Sequence, residues 1–252
     1  MHDAEFHLWM TWLEIALAVV TCVALLVINA PYGRHVRRGW GPQIPSRIGW
    51  IVMEFPAVGV FVWFYAQGEL RWDLVPLALL SLWQVHYIHR TFIFPFRLRT
   101  KGKSMPALIA AMAVGFNILN AYVNATWLSH FAGYDVSWLW DPRFIIGVSI
   151  FAAGFWINIT SDQILINLRK PGETGYKIPK GGLFRVVSCP NYLGEIIEWT
   201  GFAIATWALP GLAFALYTAA NVGPRALANH RWYRERFENY PAERKALIPF
   251  VL

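Results

Sequence analysis

Charged residues and cysteines are scarce in this chain. Asp, Glu, Lys and Arg make up 15% of its 252 residues, whereas soluble domains usually carry about a quarter. Hydrophobic residues amount to 56%, which indicates a membrane protein and excludes an ordinary soluble fold. The two cysteines, Cys22 and Cys189, match neither a metal-ligand spacing nor a disulfide framework, so we interpret both as free thiols.

Several common motifs are also absent. No GxGxxG follows a strand pattern and no Walker lysine motif occurs, so neither soluble nucleotide-binding fold applies. The segment Met1–His7 contains Asp3 and Glu5 but no Lys or Arg, so it lacks the basic start of a secretory signal peptide, and we expect the first apolar run to be a retained helix. Because repeats, low-complexity tracts and linkers are missing, we expect residues 1–252 to form a single domain.

The sequence does contain long apolar runs. A helix needs about 20 apolar residues to cross a bilayer, because each residue rises about 1.5 Å. Seven runs approach that length, at approximately residues 9–29, 48–66, 74–96, 105–127, 143–166, 191–209 and 211–225. The predicted fold class is therefore all-α, a polytopic membrane protein with seven transmembrane helices.

Basic residues are concentrated in every second loop. Nineteen of the 22 Lys and Arg residues follow the first, third, fifth and seventh runs: Arg34, Arg37, Arg38, Arg47, Arg97, Arg99, Lys101, Lys103, Arg169, Lys170, Lys177, Lys180, Arg185, Arg225, Arg231, Arg234, Arg236, Arg244 and Lys245. This positive-inside pattern predicts an outer N-terminus and a cytoplasmic C-terminus, and it explains the net charge of +7 without a nucleic-acid partner. A bacterial inner membrane and the endoplasmic reticulum obey the same charge rule, so both locations stay open.

Polar side chains inside a span are costly unless they are paired or face a cavity, so each is a functional candidate. Glu54 in the second run and Tyr87 in the third lie at similar depths, roughly 10 and 13 Å from the inner ends. Helical spacing puts further polar residues on single faces of the last three spans: Asn158 and Asp162; Asn191, Glu195 and Glu198; Asn221, Arg225 and Asn229. These groups gather in the cytoplasmic third of the bundle, although any one of them could instead pair to hold helices together. We expect Glu14, in the outer half, to be interfacial.

The loop between the fifth and sixth runs is basic and rich in glycine and proline. Residues 168–188 read LRKPGETGYKIPKGGLFRVVS. Arginine side chains and glycine amides in such a loop can wrap an anionic ligand. A basic cytoplasmic loop is equally an ordinary topology signal.

Three C-terminal stretches, NLRKPGETGYKIPKGGLF, PNYLGEIIEWTGFAIATW and ENYPAERKALIPF, closely resemble steroid 5-alpha-reductases. MEFPA around Glu54 and VHYIHRTFIFPFR around Tyr87 resemble the same family, so the likeness covers most of residues 50–252. It implies a membrane oxidoreductase that uses NADPH to reduce the 4,5 double bond of a 3-oxo-4-ene steroid or another lipid-like enone. We further expect a monomer without a metal.

The resemblance also implies roles for individual residues. Glu54 and Tyr87 match the pair that contacts the steroid 3-ketone, so the substrate site is expected mainly in helices 2–4. The residues that match the cofactor-binding pattern, mainly in helices 5–7 and the cytoplasmic loops, are Asn158, Asp162, Arg169, Tyr176, Asn191, Glu195, Arg225 and Tyr233. Hydride addition to an enone leaves negative charge on the ketone oxygen, which a protonated phenol such as Tyr87 can stabilise, with Glu54 orienting it or donating as well.

Two departures from the family pattern leave alternatives. Ala228 and Asn229 stand where animal members are expected to have a histidine-rich run, which bears on cofactor affinity. Cys189 and Pro190 before Asn191 resemble instead the isoprenylcysteine carboxyl methyltransferases, which use S-adenosylmethionine. That reading does not explain Glu54 with Tyr87.

A transporter is a third class of function. The polar residues stop at mid-membrane, whereas a conduction path should continue to the outer face, so this class is disfavoured. Within the reductase interpretation, steroids, polyprenols and long enoyl thioesters all stay open as substrates, because the size of a pocket cannot be read from one sequence.

Overall fold

The computed structural model describes residues 3–28, 35, 39–98, 102–170, 173 and 175–252. The predicted basic residues Arg34, Arg37, Arg38, Arg99 and Lys101 lie outside the described residues. The α-helices in the described part are α1 (Ala4–Val27), α2 (Ser46–Tyr65), α3 (Leu74–Ile88), α4 (Phe94–Arg97), α5 (Ala107–Thr126), α6 (Pro142–Asn167), α7 (Pro190–Thr206) and α8 (Leu209–Arg236). Since the described residues include only two three-residue strands, the predicted all-α class is confirmed.

Four helical stretches in the described part have both the length and the apolarity needed to cross a membrane: Ala4–Val27, Ser46–Tyr65, Ala107–Phe131 and Pro142–Asn167. The remaining three predicted spans correspond to helices that do not meet both conditions. α3 has 15 residues and α7 has 17, while α8 is long but carries several arginines in its second half. A membrane protein is therefore supported, and the count of seven spans and the orientation stay predictions.

A short antiparallel pair of strands joins the start of α2 to the start of α5. Strand β1 (Gln43–Pro45) pairs with strand β2 (Ser104–Pro106), with Ile44 opposite Met105. Each strand leads directly into its helix, so α2 and α5 start side by side. The rings of Phe64 and Tyr122, toward the other ends of the two helices, lie 5.1 Å apart, so the helices run in the same direction. This arrangement brings residues at equal distances along the two helices to similar depths.

α3 continues through an irregular turn into α4. Residues His89–Ile93 form a π-helical turn, and Pro95 follows in α4. Proline has no backbone N–H to donate, which accounts for a break in the regular helix at this point. The turn carries Arg90, and its altered pitch sets the direction in which that side chain leaves the helix.

Glycines allow α6 and α7 to pack at very short distance. Gly147 and Gly154 on α6 are seven residues apart, as are Gly194 and Gly201 on α7. Gly147 faces Gly201, and Gly154 faces Gly194. A Cβ atom on Gly194 would lie 2.8 Å from the Gly154 carbonyl oxygen, and one on Gly201 would lie 2.6 Å from that of Gly147. Such backbone contact through small residues is typical of membrane helix pairs.

The core between α3, α7 and α8 is built from aromatic rings. The ring centroid of Trp83 on α3 lies 5.2 Å from the centroids of both Trp199 and Phe214, and the latter two centroids lie 4.4 Å apart. The indole of Trp83 donates to the Ala57 carbonyl on α2 at 2.8 Å. Burial of these rings holds the helices that carry the candidate site in a fixed arrangement.

The segment after α8 returns to the start of α7. Lys245 forms a parallel bridge with Val187. The Ser188 amide donates to the Lys245 carbonyl at 2.8 Å, and the Cys189 amide donates to that of Ala246 at 3.2 Å. The C-terminal segment is thereby attached to the helix end that carries Asn191.

Candidate active site

Arg90 connects the α3 side of the bundle to α6 and α7. Its Nη1 donates to Asp162 Oδ2 at 2.8 Å, and its Nη2 lies 4.0 Å from Glu195 Oε2. The guanidinium also lies over the Phe94 ring, 4.5 Å from the centroid. Arg90 is not among the candidate site residues of the sequence analysis. Its position in the sequence, three residues after Tyr87, was the available signal.

Asn158, Asp162 and Asn191 form one hydrogen-bonded group across the close α6–α7 contact. Asn158 Nδ2 donates to the Asn191 carbonyl at 2.9 Å, and Asn191 Nδ2 donates to Asp162 Oδ1 at 3.1 Å. Asn158 is 1% exposed, and its Oδ1 has no hydrogen-bond partner among the described residues. An unpaired buried acceptor is costly, so this oxygen is available to a donor on a bound ligand.

Glu54 and Tyr87 lie on neighbouring helices within electrostatic range of each other. The Asn117 side chain on α5 lies close to the Glu54 carboxyl group, and its Nδ2 donates to the Met53 carbonyl at 2.6 Å. Tyr87 is 5% exposed and packs 5.0 Å from the Trp83 ring. Sequence reasoning missed Asn117, because the pairing of β1 with β2 and the packing of α5 on α2 join distant parts of the chain.

His86 and Glu198 form a buried pair beside Tyr87. His86 Nδ1 lies 2.7 Å from Glu198 Oε1, and the two residues are 2% and 0% exposed. The His86 ring contacts Tyr87 and Trp199 at 4.9 and 4.8 Å. The pair joins α3 to α7 and thereby fixes the position of the tyrosine.

The remaining candidate cofactor residues lie in the loop after α6 and in the second half of α8. Arg225 Nη2 lies 3.4 Å from the Tyr192 hydroxyl, next to Asn191. Arg169 Nη1 donates to the Gly175 carbonyl at 3.1 Å. The exposed Tyr176 ring meets Trp232 edge-on at 4.8 Å, which ties the basic loop to α8.

Tyr233 lies deeper than these residues. It is 3% exposed, and its ring stacks on Tyr240 at 5.4 Å. Ser188 Oγ lies 2.6 Å from the Tyr240 hydroxyl and 2.6 Å from His230 Nδ1. Tyr233 therefore packs against the attached C-terminal segment, apart from the group around Asp162.

The two departures at Ala228 and Asn229 fall on the same stretch of α8. Asn229 Oδ1 lies 3.3 Å from His35 Nε2, so this position contacts the chain that follows α1. His35 thereby contacts the second half of α8.

The expectation that Glu14 is interfacial is wrong, because this residue is 0% exposed. Its face of α1, with His7, Thr11 and Ala18, is buried at helical spacing, while most of the helix is exposed. The pattern of polar residues at positions 7, 11 and 14 was a signal for this buried face.

His230 makes the stability of the folded state depend on pH in the acid range. Burial lowers the pKa of His230 below its ordinary value of 6.5, and the nearby Arg234, Arg244 and Lys245 lower it further. The folded state therefore favours neutral His230. The stability that this residue contributes is fully present above about pH 6.5 and is lost as the pH falls below that value. We expect the melting temperature of the wild type to drop more between pH 7.5 and 5.5 than that of His230→Gln, measured by thermal unfolding in detergent. Equal drops would contradict this assignment.

Comparison with known proteins identifies relatives along almost the whole chain. The family model of 3-oxo-5-alpha-steroid 4-dehydrogenases matches residues 103–252. Steroid 5-alpha-reductase DET2 of Arabidopsis thaliana is 47% identical over 92% of this chain and 91% of the relative. The DET2 protein of Gossypium hirsutum is 43% identical over 98% and 97%. 3-Oxo-5-alpha-steroid 4-dehydrogenase 1 of Homo sapiens is 43% identical over 96% and 94%. The methyltransferase alternative gains no support from these similarities.

Proposed function

Because this chain belongs to the 3-oxo-5-alpha-steroid 4-dehydrogenase family, we propose that it uses NADPH to reduce the 4,5 double bond of 3-oxo-4-ene steroids. Membership supports an oxidoreductase that acts on steroids. The observation that carries the finer proposal is the connection through Arg90, which lies three residues after Tyr87 and is paired with Asp162. Arg90 also acts electrostatically on Glu54, which supports placing the proposed ketone-binding pair beside the polar group proposed for the cofactor.

Tyr87 is the proposed donor to the substrate ketone. Reduction of the double bond at the carbon beta to the ketone shifts negative charge onto the ketone oxygen. A protonated phenol in a dry, aromatic surrounding stabilises that charge, because electrostatic interactions are strong where water is excluded. Glu54, close to Asn117, orients the phenol or donates a second hydrogen bond to the same oxygen.

Asn158, Asp162, Asn191 and Glu195 are proposed to hold the nicotinamide end of NADPH. The unpaired Asn158 Oδ1 suits the amide N–H of a carboxamide, which is the functional group on a nicotinamide ring. When bound, NADPH supplies the hydride, and the protein supplies position and electrostatics. Arg169, Tyr176, Arg225 and Tyr233 are proposed for the remainder of the cofactor, the first and third as partners for phosphate.

Arg169→Ala tests the cofactor assignment. We expect the Kd for NADPH to rise about tenfold to a hundredfold, since a charge-assisted hydrogen bond to phosphate is lost. The KM for steroid should change little. NADPH fluorescence titration and steady-state kinetics measure the two effects. Arg185→Ala, which removes an exposed charge from the same loop, is the matched control; equal weakening of NADPH and steroid by Arg169→Ala would assign the arginine to folding.

The substrate class is tested by turnover. The purified full-length protein, as a monomer in nanodiscs, is supplied with NADPH and one of three enone or alkene classes: 3-oxo-4-ene steroids, long enoyl thioesters or polyprenols. We expect NADPH oxidation and a product two mass units heavier only with the steroids. Reduction of a different class with no steroid turnover would replace the proposed substrate, and absence of reduction in all three would reject the proposal.

A further inference from the structure

Trp50 on α2 contacts Arg90 in two ways. Its Nε1 donates to the Arg90 backbone carbonyl at 3.1 Å. Its ring centroid lies 5.3 Å from Arg90 Cζ, and the Phe94 centroid lies 4.5 Å from the same atom. Since the Trp50 and Phe94 centroids are 5.2 Å apart, the guanidinium lies against two aromatic rings that contact each other. The proposed chemistry gives Trp50 no role.

The hydrogen bond from the indole follows from the π-helical turn. Phe94 donates its amide to the His89 carbonyl, five residues earlier. In that register the next carbonyl, that of Arg90, would pair with the amide of Pro95, which has no N–H. The Trp50 indole supplies the donor that the backbone lacks, so the Arg90 carbonyl is not left unpaired.

α2 contacts the same part of the chain at a second point. Arg47 precedes Trp50 by three residues and therefore lies on the same side of the helix. Its Nε donates to the Pro95 carbonyl at 3.2 Å, and its Cζ lies 5.3 Å from the Phe96 centroid. Two neighbouring side chains of α2 thus fix the break between α3 and α4, which is where Arg90 leaves the helix.

The direction of the Arg90 side chain matters for the proposed cofactor site. Arg90 Nη1 donates to Asp162 Oδ2, and Asp162 Oδ1 accepts from Asn191. Charge-assisted hydrogen bonds of this kind depend on geometry. Arg90 can reach across to Asp162 only while its backbone and its guanidinium keep this orientation, and Trp50 contacts both.

We propose that Trp50 is a positioning residue for the reductase reaction, which holds Arg90 on Asp162 and thereby keeps the group around Asp162 in place for the nicotinamide. The inference rests on the proposed function and adds to it a residue that acts on the cofactor through Arg90.

Trp50→Phe keeps an aromatic ring beside Arg90 and removes the indole donor. We expect the Kd for NADPH to rise about threefold to tenfold, as for the loss of one hydrogen bond, with little change in the KM for steroid at saturating NADPH. NADPH fluorescence titration and steady-state kinetics of the full-length protein measure the two. An unchanged Kd in Trp50→Phe would overturn the proposal, whereas absence of NADPH binding to the wild type would reject the proposed function.

Trp138→Phe is the matched control. The Trp138 indole also donates to a backbone carbonyl, that of Ala205, at 3.0 Å, and its ring lies 4.3 Å from Arg143 Cζ. Ala205 is at the opposite end of α7 from Asn191. The control should therefore leave the Kd for NADPH unchanged, and an equal rise in both variants would assign the effect of Trp50 to general stability and overturn the proposal.

A double-mutant cycle tests whether Trp50 acts through Arg90. In an Arg90→Leu background, Trp50→Phe should no longer weaken NADPH binding, because the side chain that it positions is gone. Asp162→Asn, which weakens the charge pair and keeps the shape of the side chain, is a second background with the same expectation if Arg90→Leu does not fold. A full additional threefold to tenfold loss, of about the size expected for one hydrogen bond, in these backgrounds would overturn the proposal, because Trp50 would then contact the cofactor itself.

Discussion

Tyr87→Phe is expected to lower kcat by about a hundredfold to a thousandfold while NADPH still binds with nearly unchanged Kd. The substitution removes one hydroxyl, which is the proposed donor to the oxygen that gains charge in the transition state, and losses of this size are typical when such a donor is deleted. The ring stays, so its contacts with Trp83 and Trp199 are preserved. Single-turnover reduction of steroid and NADPH titration measure the two quantities.

Tyr65→Phe is the matched control for this experiment. Tyr65 is 4% exposed, and its hydroxyl donates to the Arg71 carbonyl at the opposite end of α2 from the cofactor residues. Its loss should cost about 1 kcal/mol of stability and leave kcat unchanged. If Tyr87→Phe retained wild-type turnover, the oxyanion role of Tyr87 would be rejected.

Gly194→Val is expected to have the largest effect on stability. Its Cβ would lie 2.5 Å from the Asn158 amide nitrogen and 2.8 Å from the Gly154 carbonyl oxygen. Both are backbone atoms, so only separation of α6 from α7 can relieve the clash. We expect a loss of about 3 kcal/mol or more in the free energy of unfolding, at the upper end of overpacking effects, together with loss of NADPH binding because Asn158 and Asn191 move apart.

Gly223→Val is the control for this glycine. Gly223 lies in α8, and a Cβ there would meet no atom within 4 Å. The same substitution should therefore change the melting temperature little. Similar melting temperatures for the two variants in detergent would contradict the close-packing account.

Regular helical spacing made part of the candidate site predictable. Asn158 and Asp162 are four residues apart, as are Asn191 and Glu195, and the structure brings both pairs to one face-to-face contact. The all-α class followed equally from long apolar runs. These features depend on local periodicity, which a single sequence displays directly.

Other features depend on contacts between distant segments. The pair of strands that sets α5, with Asn117, beside α2, with Glu54, joins residues about 60 positions apart, and no local pattern indicates it. Arg90 acquires its direction from a π-helical turn, which has no simple sequence period. Glu14 is buried because its side of α1 meets α5 and α8, whereas composition alone suggested a helix surrounded by lipid.

The glycine contacts have a mechanical consequence for how a dinucleotide gains access. The backbones of α6 and α7 are in contact at two levels, at Gly147 with Gly201 and at Gly154 with Gly194. These contacts oppose both sliding and tilting of the helices, so α6 and α7 move as one rigid unit. Any opening that admits the proposed NADPH must then arise outside this helix pair, for example at the end of α8. Asn158 and Asn191 would accordingly keep their spacing throughout the catalytic cycle.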